Sequence, residues 1–377
     1  MPAVDATPQS RAQLTLLLAG DVMTGRGIDQ ALPHPCDPQL YEDYITSAVD
    51  YLRLAEAASG PIPHPVDFSY VWGDALAEIE RRQPAVRVIN LETAITTSTE
   101  RQPKGINYRM NPRNVPVLSA ARIDCCGLAN NHVLDWGVGG LVETLETLAE
   151  AGIARTGAGR DAAEATAPAV LQVAEGRVLV YAFGAQSSGV PRSWAATAGR
   201  PGVNFLADLG DRQVEAIASA VAAHRTVGDL VVVSLHWGGN WGYEIPRERI
   251  AFARGLIDRA GVDIVFGHSA HHRQAIEVHS GKLILYGCGD FLNDYEGIRG
   301  YEGYRDDLVL MYLPTVRRAD GRLERLTMMP FQIRKFRLAR AVPADAAWLS
   351  DLLTREGRRF GTRARLDADD SLTLEWA

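Results

Sequence analysis

The sequence has few cysteines, few aromatic residues and no excess of positive charge. Its 377 residues include four cysteines without CxxC spacing, which argues against a disulfide framework and against a thiolate zinc site. We therefore expect Cys36, Cys125, Cys126 and Cys288 to be reduced thiols of the core. Lysine and arginine number 39 against 46 acidic residues, a net charge of −7, which argues against nucleic acid as a partner.

Long hydrophobic runs are also missing from the early part of the sequence. The longest early apolar run, residues 14–19, is too short to span a bilayer, and residues 1–13 lack a basic segment followed by an apolar one. We therefore expect a cytoplasmic protein with no membrane partner. Hydrophobic residues at 46% and charged residues at 23% are typical of a globular chain that folds in water.

Short apolar runs alternate with stretches of helical periodicity, which predicts an α/β fold with covered sheets. The helical stretches are clearest at residues 141–151, 214–225 and 248–260. We expect one catalytic domain over residues 1–335 with a helical insert at about 41–58, and a C-terminal appendage, residues 336–377, packed on it. The strand-like runs are residues 14–19, 86–89, 124–128, 178–182, 230–235, 263–266, 283–286 and 308–313.

Polar residues follow six of these apolar runs directly. In α/β sheets the carboxyl ends of the strands form the ligand site, so we expect the six groups to meet in one place. Carboxylates, an amide and imidazoles are ligands for Mn, Fe, Co or Zn, and their joint burial costs several kcal/mol unless something coordinates them. The groups are Gly20-Asp21, Asn90-Leu91-Glu92, Asn130-Asn131-His132, His236-Trp237-Gly238, residues 267–272 and residues 287–291.

Five ordered motifs, GDVMTGRG, NLETAIT, ANNHVLDWG, LHWG and GHSAHH, carry a family resemblance. Together they resemble the calcineurin-like metallophosphoesterase superfamily, and more closely its branch named after the capsule protein CapA, over about residues 14–294. The resemblance implies a β-sandwich flanked by helices, with a two-metal site at the carboxyl ends of the strands.

The resemblance also implies a role for each motif residue. His132 would be the general acid/base, with Asp21 and His271 beside it in catalysis. One departure is Met23, where the superfamily usually has a histidine; because a thioether is a poor ligand for hard divalent ions, the site would hold one or two ions. The implied metal ligands are Asp21, Glu92, Asn131, His236, His268 and His271.

Four further residues near the motifs are candidates for contact with substrate. Arg26 would bind a phosphate or carboxylate, or else pair with a structural carboxylate. Trp237 and Trp241 would contact an apolar or aromatic substrate side chain, or else lie in the core. Asp290 would contact substrate or orient a metal-bound histidine, or else cap the following turn.

Three hypotheses for the function remain open at this point. The resemblance includes members that act on peptide natural products, and our first hypothesis is proton transfer at a Cα, specifically epimerisation of a residue in a lasso-peptide precursor. The alternatives are a metal-dependent phosphoester hydrolase and a component of poly-γ-glutamate capsule synthesis. In each case a divalent ion would be the only cofactor.

Overall fold

The structure is a computed structural model that describes residues 12–174 and 176–377. The prediction that residues 1–13 lack a targeting segment therefore falls mostly outside the described residues. Within the described ranges, no helix has both the length and the apolar character needed to cross a bilayer.

The larger sheet is mixed and is built around the first strand of the chain. Strand β1 (Gln13–Val22) runs parallel to β2 (Val86–Leu91) and β16 (Asp290–Leu292), and antiparallel to β17 (Leu308–Arg317). Its other strands are β5 (Cys125–Gly127), β6 (Ala154–Thr156), β18 (Leu323–Arg334), β19 (Arg337–Arg340), β20 (Thr362–Leu366) and β21 (Leu372–Trp376).

The second sheet has a parallel centre. Strands β9 (Gly176–Ala185), β12 (Leu230–His236), β13 (Ile264–His268) and β15 (Lys282–Leu285) lie side by side in one direction, so their carboxyl ends share an edge. The sheet is completed by β8 (Ala169–Val173), β11 (Phe205–Leu206) and β14 (Ile276–His279). Two small pairs are β3 (Ala94–Ile95) with β4 (Arg109–Met110), and β7 (Ala158–Gly159) with β10 (Gly202–Val203).

The two sheets pack face to face, and helices cover both outer faces. Alternation along β1 places Leu16 and Leu18 between the sheets, where they join Val232 of β12, and turns Leu17 towards the outer helices. This arrangement confirms the predicted α/β sandwich. The helices are α1 (Arg26–Ala31), α2 (Ala48–Ser59), α3 (Ala75–Arg82), α4 (Pro116–Ala120), α5 (Gly137–Glu150), α6 (Ala162–Thr166), α7 (Asp211–His224), α8 (Arg247–Ala260) and α9 (Pro343–Gly357).

The C-terminal segment, residues 336–377, extends the larger sheet. It supplies β19, β20 and β21, and Leu349 and Leu353 of α9 join the core between the sheets. The helical part of the predicted insert is α2. All four cysteines are buried thiols, as the sequence predicts.

Candidate metal centre

The carboxyl ends of both sheets meet at one edge of the sandwich. Asp21 near the end of β1 lies in register with Asn90 of β2, and His236 of β12 lies in register with His268 of β13. Asp21, His236 and His268 are buried, and each offers a ligand atom within 4.8 Å of the other two. The strand order therefore places these three side chains together, as the sequence predicts.

Two further predicted ligands, Glu92 and Asn131, complete a five-residue cluster around His236. Its Nδ1 lies 2.9 Å from Nδ1 of His268 and 3.9 Å from Oδ1 of Asp21. Its Nε2 lies 2.9 Å from Oδ1 of Asn131 and 3.6 Å from Oε1 of Glu92. His236 thus presents one ring nitrogen to each half of the cluster.

The chemistry of this cluster fits a divalent cation. Oε2 of Glu92 is buried and has no hydrogen-bond partner among the described residues. Burial and the charges of Asp21 and Asp290 raise the pKa of Glu92, and burial lowers the pKa of His236. A buried carboxylate with an unsatisfied oxygen beside a neutral imidazole is costly unless a cation satisfies both, so these residues fit the ion that the resemblance implies.

Several neighbouring groups orient the ligands. Asp21 accepts hydrogen bonds from Nδ2 of Asn90 at 2.7 Å and from the backbone N–H of Ser269 at 3.0 Å. Burial raises the pKa of Asp21, but the hydrogen bond and charge of His268 outweigh it and the net pKa is lowered. Ser234 Oγ lies 2.7 Å from Nε2 of His268, which leaves the other ring nitrogen towards the cluster.

His132 lies beside the cluster, and Asp135 contacts the ring nitrogen that faces away from it. Its Nδ1 lies 2.6 Å from Oδ2 of Asp135, and its Nε2 faces the cluster, 3.7 Å from Oε1 of Glu92. Lys104 Nζ donates to Oδ1 of Asp135 at 2.7 Å and to the Asn131 carbonyl. Burial lowers the pKa of His132 to about 4, Lys104 acts in the same direction, and Asp135 opposes both.

His271 forms a second histidine–carboxylate pair on another side of the site. Its Nδ1 lies 2.9 Å from Oδ1 of Asp290, and Oδ2 of Asp290 accepts from Nδ2 of Asn293 at 2.7 Å. Burial lowers the pKa of His271, but Asp290 outweighs it and the net pKa is raised. Nearby, Tyr295 donates its hydroxyl to Sδ of the buried Met23 at 3.6 Å, so a tyrosine is the polar partner of the thioether.

Comparison with known proteins identifies the family. The profile of the family described as bacterial capsule synthesis protein PGA_cap matches residues 15–295. The chain belongs to this family. The predicted CapA-type relationship is thereby confirmed.

Named PGA_cap relatives cover different shares of the chain. A probable polyglutamine synthesis accessory protein of Mycobacterium tuberculosis is 49% identical over 96% of both chains. The capsule biosynthesis protein CapA of Bacillus anthracis is 26% identical over 80% of this chain and 64% of its own, and the PGA biosynthesis protein CapA of Bacillus subtilis is 29% identical over 59% and 56%.

One solved structure is a distant neighbour of this PGA_cap chain. It is a phosphatase from Mycoplasma pneumoniae with a TM-score of 0.46 and 11% identity, and the match covers 85% of this chain and 94% of that one. Nothing about the reaction of this chain follows from so distant a likeness.

Arg26 is not the predicted substrate contact and takes the alternative role that the sequence left open, a pairing with structural carboxylates. Its guanidinium is buried and donates to Oδ2 of Asp294 at 3.1 Å, Oε1 of Glu42 at 3.0 Å and the hydroxyl of Tyr51 at 2.8 Å. Because these groups occupy its donors, Arg26 is a structural residue that ties the predicted insert to the strand-end loops.

Trp237 and Asp290 also take the alternatives that the sequence left open and not the predicted substrate contacts. Trp237 follows His236 and so points to the opposite face, where it is buried and donates Nε1 to the Tyr286 carbonyl at 3.0 Å. Asp290 contacts Nδ1 of His271, as expected if it orients this histidine. Trp241 is partly exposed, and its ring centroid lies 5.4 Å from that of His271.

Sequence reasoning assigned no role to Ser234, although a signal for it exists. It is the polar residue within the apolar strand β12, two positions before His236, and therefore lies on the same face. Lys104 lies outside the five motifs, in the irregular segment between β3 and β4. The structure places its ammonium against Asp135, behind His132.

Proposed function

We propose that this PGA_cap protein is a metal-dependent enzyme of polymer synthesis that cleaves an amide bond in a glutamyl or glutaminyl chain. The observation that carries the proposal is the orientation of His132. Its Nδ1 is fixed by Asp135 at 2.6 Å, and its Nε2 faces the ligand cluster. This is the arrangement of a histidine that moves a proton at a reacting group.

A divalent ion at this site would polarise a substrate carbonyl and lower the pKa of a bound water molecule. The residues that would hold it are Asp21, Glu92, Asn131, His236 and His268, with His271 as the further ligand that the resemblance implies. As ligands, these side chains would not be available for proton transfer.

The proton transfer falls to the His132–Asp135 pair. As water adds to the amide carbonyl, Nε2 of His132 accepts a proton from the water, and it returns that proton to the nitrogen that leaves when the C–N bond breaks. Asp135 fixes Nδ1–H and stabilises the imidazolium while it exists. Lys104 holds the carboxylate of Asp135 in place.

The choice of polymer rests on the relatives. The M. tuberculosis relative is named for polyglutamine synthesis and the Bacillus relatives for capsule or PGA biosynthesis. These names favour the capsule alternative over epimerisation of a lasso-peptide precursor. Location in the cytoplasm and a peptide partner stay predictions.

Epimerisation at a Cα is the second candidate, and the His271–Asp290 pair favours it. An epimerase needs one group that removes the Cα proton and another that returns it to the opposite face. His132 and His271 both lie close enough to His236 to lower its pKa, so two acid/base groups border one site.

The test is to incubate the metal-loaded protein in D₂O with short synthetic oligomers of glutamine and of γ-linked glutamate. Mass spectrometry then reads chain length and deuterium at each Cα, with a phosphoester in a parallel tube and His132→Ala as control. Shorter chains that depend on His132 support the proposal. Deuterium uptake without cleavage supports epimerisation, phosphoester turnover alone supports a hydrolase of that class, and no change anywhere contradicts an enzymatic role.

A further inference from the structure

A continuous series of rings joins the two histidine–carboxylate pairs. The Tyr108 ring meets that of His132 edge to face at 4.4 Å, and its hydroxyl lies 3.0 Å from that of Tyr295. The Tyr295 ring meets His271 at 5.3 Å, and His271 lies 5.4 Å from Trp241. The candidate centre is thus bordered by aromatic surface that ends on Trp241.

The series continues outwards into an exposed stack. The rings of Trp241 and Tyr301 are parallel within 6° with centroids 4.0 Å apart, and Tyr304 supports Trp241 at 5.1 Å. Tyr301 is 42% exposed. Trp241 is also parallel to the His272 ring within 9° at 6.0 Å, so the exposed flat face that this stack offers to a ligand is that of Tyr301.

The fixed charge beside this stack is mainly negative. Asp290 lies 2.9 Å from His271, the neighbour of Trp241, and Glu302 and Asp306 follow Tyr301 in the chain. The guanidinium of Arg305 is occupied, since it pairs with Asp307 at 2.8 Å and Asp345 at 3.0 Å. Two positive charges lie among them: Arg299 is exposed in the same loop, and the buried Arg273 donates Nη2 to the Tyr304 carbonyl at 3.0 Å. A carboxylate side chain bound here would face these acidic groups, whereas an amide plane would stack without that repulsion.

We propose that Trp241 and Tyr301 form a subsite that binds the planar amide of the chain unit next to the one at the metal centre. The subsite selects an uncharged glutaminyl chain over a glutamyl chain. This inference rests on the proposed function for the identity of the polymer. Its physical basis, the stack and its charge, does not depend on which bond is broken.

The test measures equilibrium binding of end-blocked oligomers of glutamine and of γ-linked glutamate by calorimetry. The metal-loaded protein carries His132→Ala, so that the proposed cleavage does not consume the ligand. Trp241→Ala and Tyr301→Ala should each weaken glutamine-oligomer binding about tenfold, the scale of one lost aromatic contact with its buried area. Trp241→Phe should restore most of the affinity. Tyr41→Ala, at a tyrosine of similar exposure that packs on Arg101, is the matched control and should change nothing.

Different outcomes separate the subsite from the reaction. Unchanged binding in Trp241→Ala, an equal loss in Tyr41→Ala, or equal affinity for the glutamate oligomer would overturn the subsite. If Trp241→Ala, in a protein that keeps His132, cleaves glutamine oligomers with an unchanged KM, the proposed function is supported and the proposed subsite is wrong. If Trp241→Ala and Tyr301→Ala weaken binding but the protein with His132 cleaves no oligomer, the subsite is supported and the proposed reaction is wrong.

Discussion

The two histidine–carboxylate pairs have the same contact and opposite charge environments. His132 meets Asp135 at 2.6 Å and His271 meets Asp290 at 2.9 Å, in both cases through Nδ1. Burial lowers the pKa of each histidine, yet the net pKa of His132 falls to about 4 while that of His271 is raised. The partner carboxylate alone therefore does not set the proton affinity of a buried histidine.

The charges near each partner carboxylate account for the difference in pKa between His132 and His271. Lys104 bonds to Asp135 and weakens its pull on the His132 proton, whereas Asp21 and Asp306 add to the pull of Asp290 on His271. A neutral imidazole next to the ligand cluster suits the acceptance of a proton, whereas a histidine oriented by a carboxylate suits a metal ligand once the metal displaces its proton. We therefore propose different tasks for the two pairs.

The largest expected effect is on turnover in His132→Ala. We expect kcat for the oligomer that the unsubstituted protein cleaves to fall about 10²- to 10⁴-fold, the usual contribution of a general acid/base group. Steady-state kinetics measures it. His279→Ala, which breaks the surface pair of His279 with Asp258 at 2.9 Å, is the matched control and should retain activity. A loss below threefold in His132→Ala would contradict the role, since such a change is ~0.6 kcal/mol.

Arg26→Met should remove the guanidinium that packs against Tyr108 and Tyr295, the two rings between His132 and His271. The Arg26 guanidinium lies 4.4 Å from the Tyr108 ring centroid and 5.8 Å from that of Tyr295, and it is buried against two carboxylates. Because the change leaves those carboxylates buried without their cation, we expect a loss of about 3–5 kcal/mol in the free energy of unfolding, measured with denaturant.

The control for Arg26 is an exposed ion pair on α2. Arg53 and Asp50 are bonded at 2.9 Å with side chains 72% and 40% exposed, so Arg53→Met should cost less than about 1 kcal/mol. Equal losses in the two variants would show that the buried network contributes no more than a surface pair.

Asp290→Asn should sharpen the assignment of the second pair. If the His271 pair helps to hold the cation, the variant should bind the metal about 10–100-fold more weakly, as is typical when a partner of a metal-bound histidine is changed. Titration against a chelator measures it. Asp135→Asn is the internal comparison and should leave metal affinity intact, so a similar loss in both variants would contradict the division of tasks.

Lys104→Met should have the smallest effect. It removes one charged hydrogen bond to Asp135, worth ~1.5 kcal/mol, which corresponds to about a tenfold loss in kcat without loss of metal. Lys104→Arg keeps the charge and should recover part of the rate. If the arginine variant is as slow as the methionine variant, the positive charge is not what matters.

Most of the candidate centre could be predicted from the sequence because it follows from strand direction. Asp21, Glu92, His236 and His268 each come at or just after the end of a parallel strand, and such ends meet at one edge. The same reasoning left Trp237 open between substrate contact and the core, although neighbouring residues of a strand point to opposite faces. Applied consistently, that alternation predicts Ser234 as the partner of the ligand face and Trp237 as a core residue.

Other features depend on contacts that sequence spacing does not carry. Arg26 bonds to Asp294, 268 positions away, so the first motif allowed a structural carboxylate as its partner but did not indicate which one. Lys104 reaches Asp135 from an irregular segment, and Trp241 meets Tyr301 across two loops. Side-chain pairs of this kind are set by loop conformation, for which hydrophobic periodicity gives no signal.

The most direct measurement is the metal content of His236→Ala compared with that of His132→Ala, read by elemental analysis after loading with one divalent metal and gel filtration. The two histidines both lie within 3.7 Å of Glu92, but only His236 belongs to the Asp21–His268 cluster. We predict that His236→Ala loses its metal while His132→Ala retains the full content of the unsubstituted protein. Equal metal content in the two variants would contradict the separation of cation holding from proton transfer.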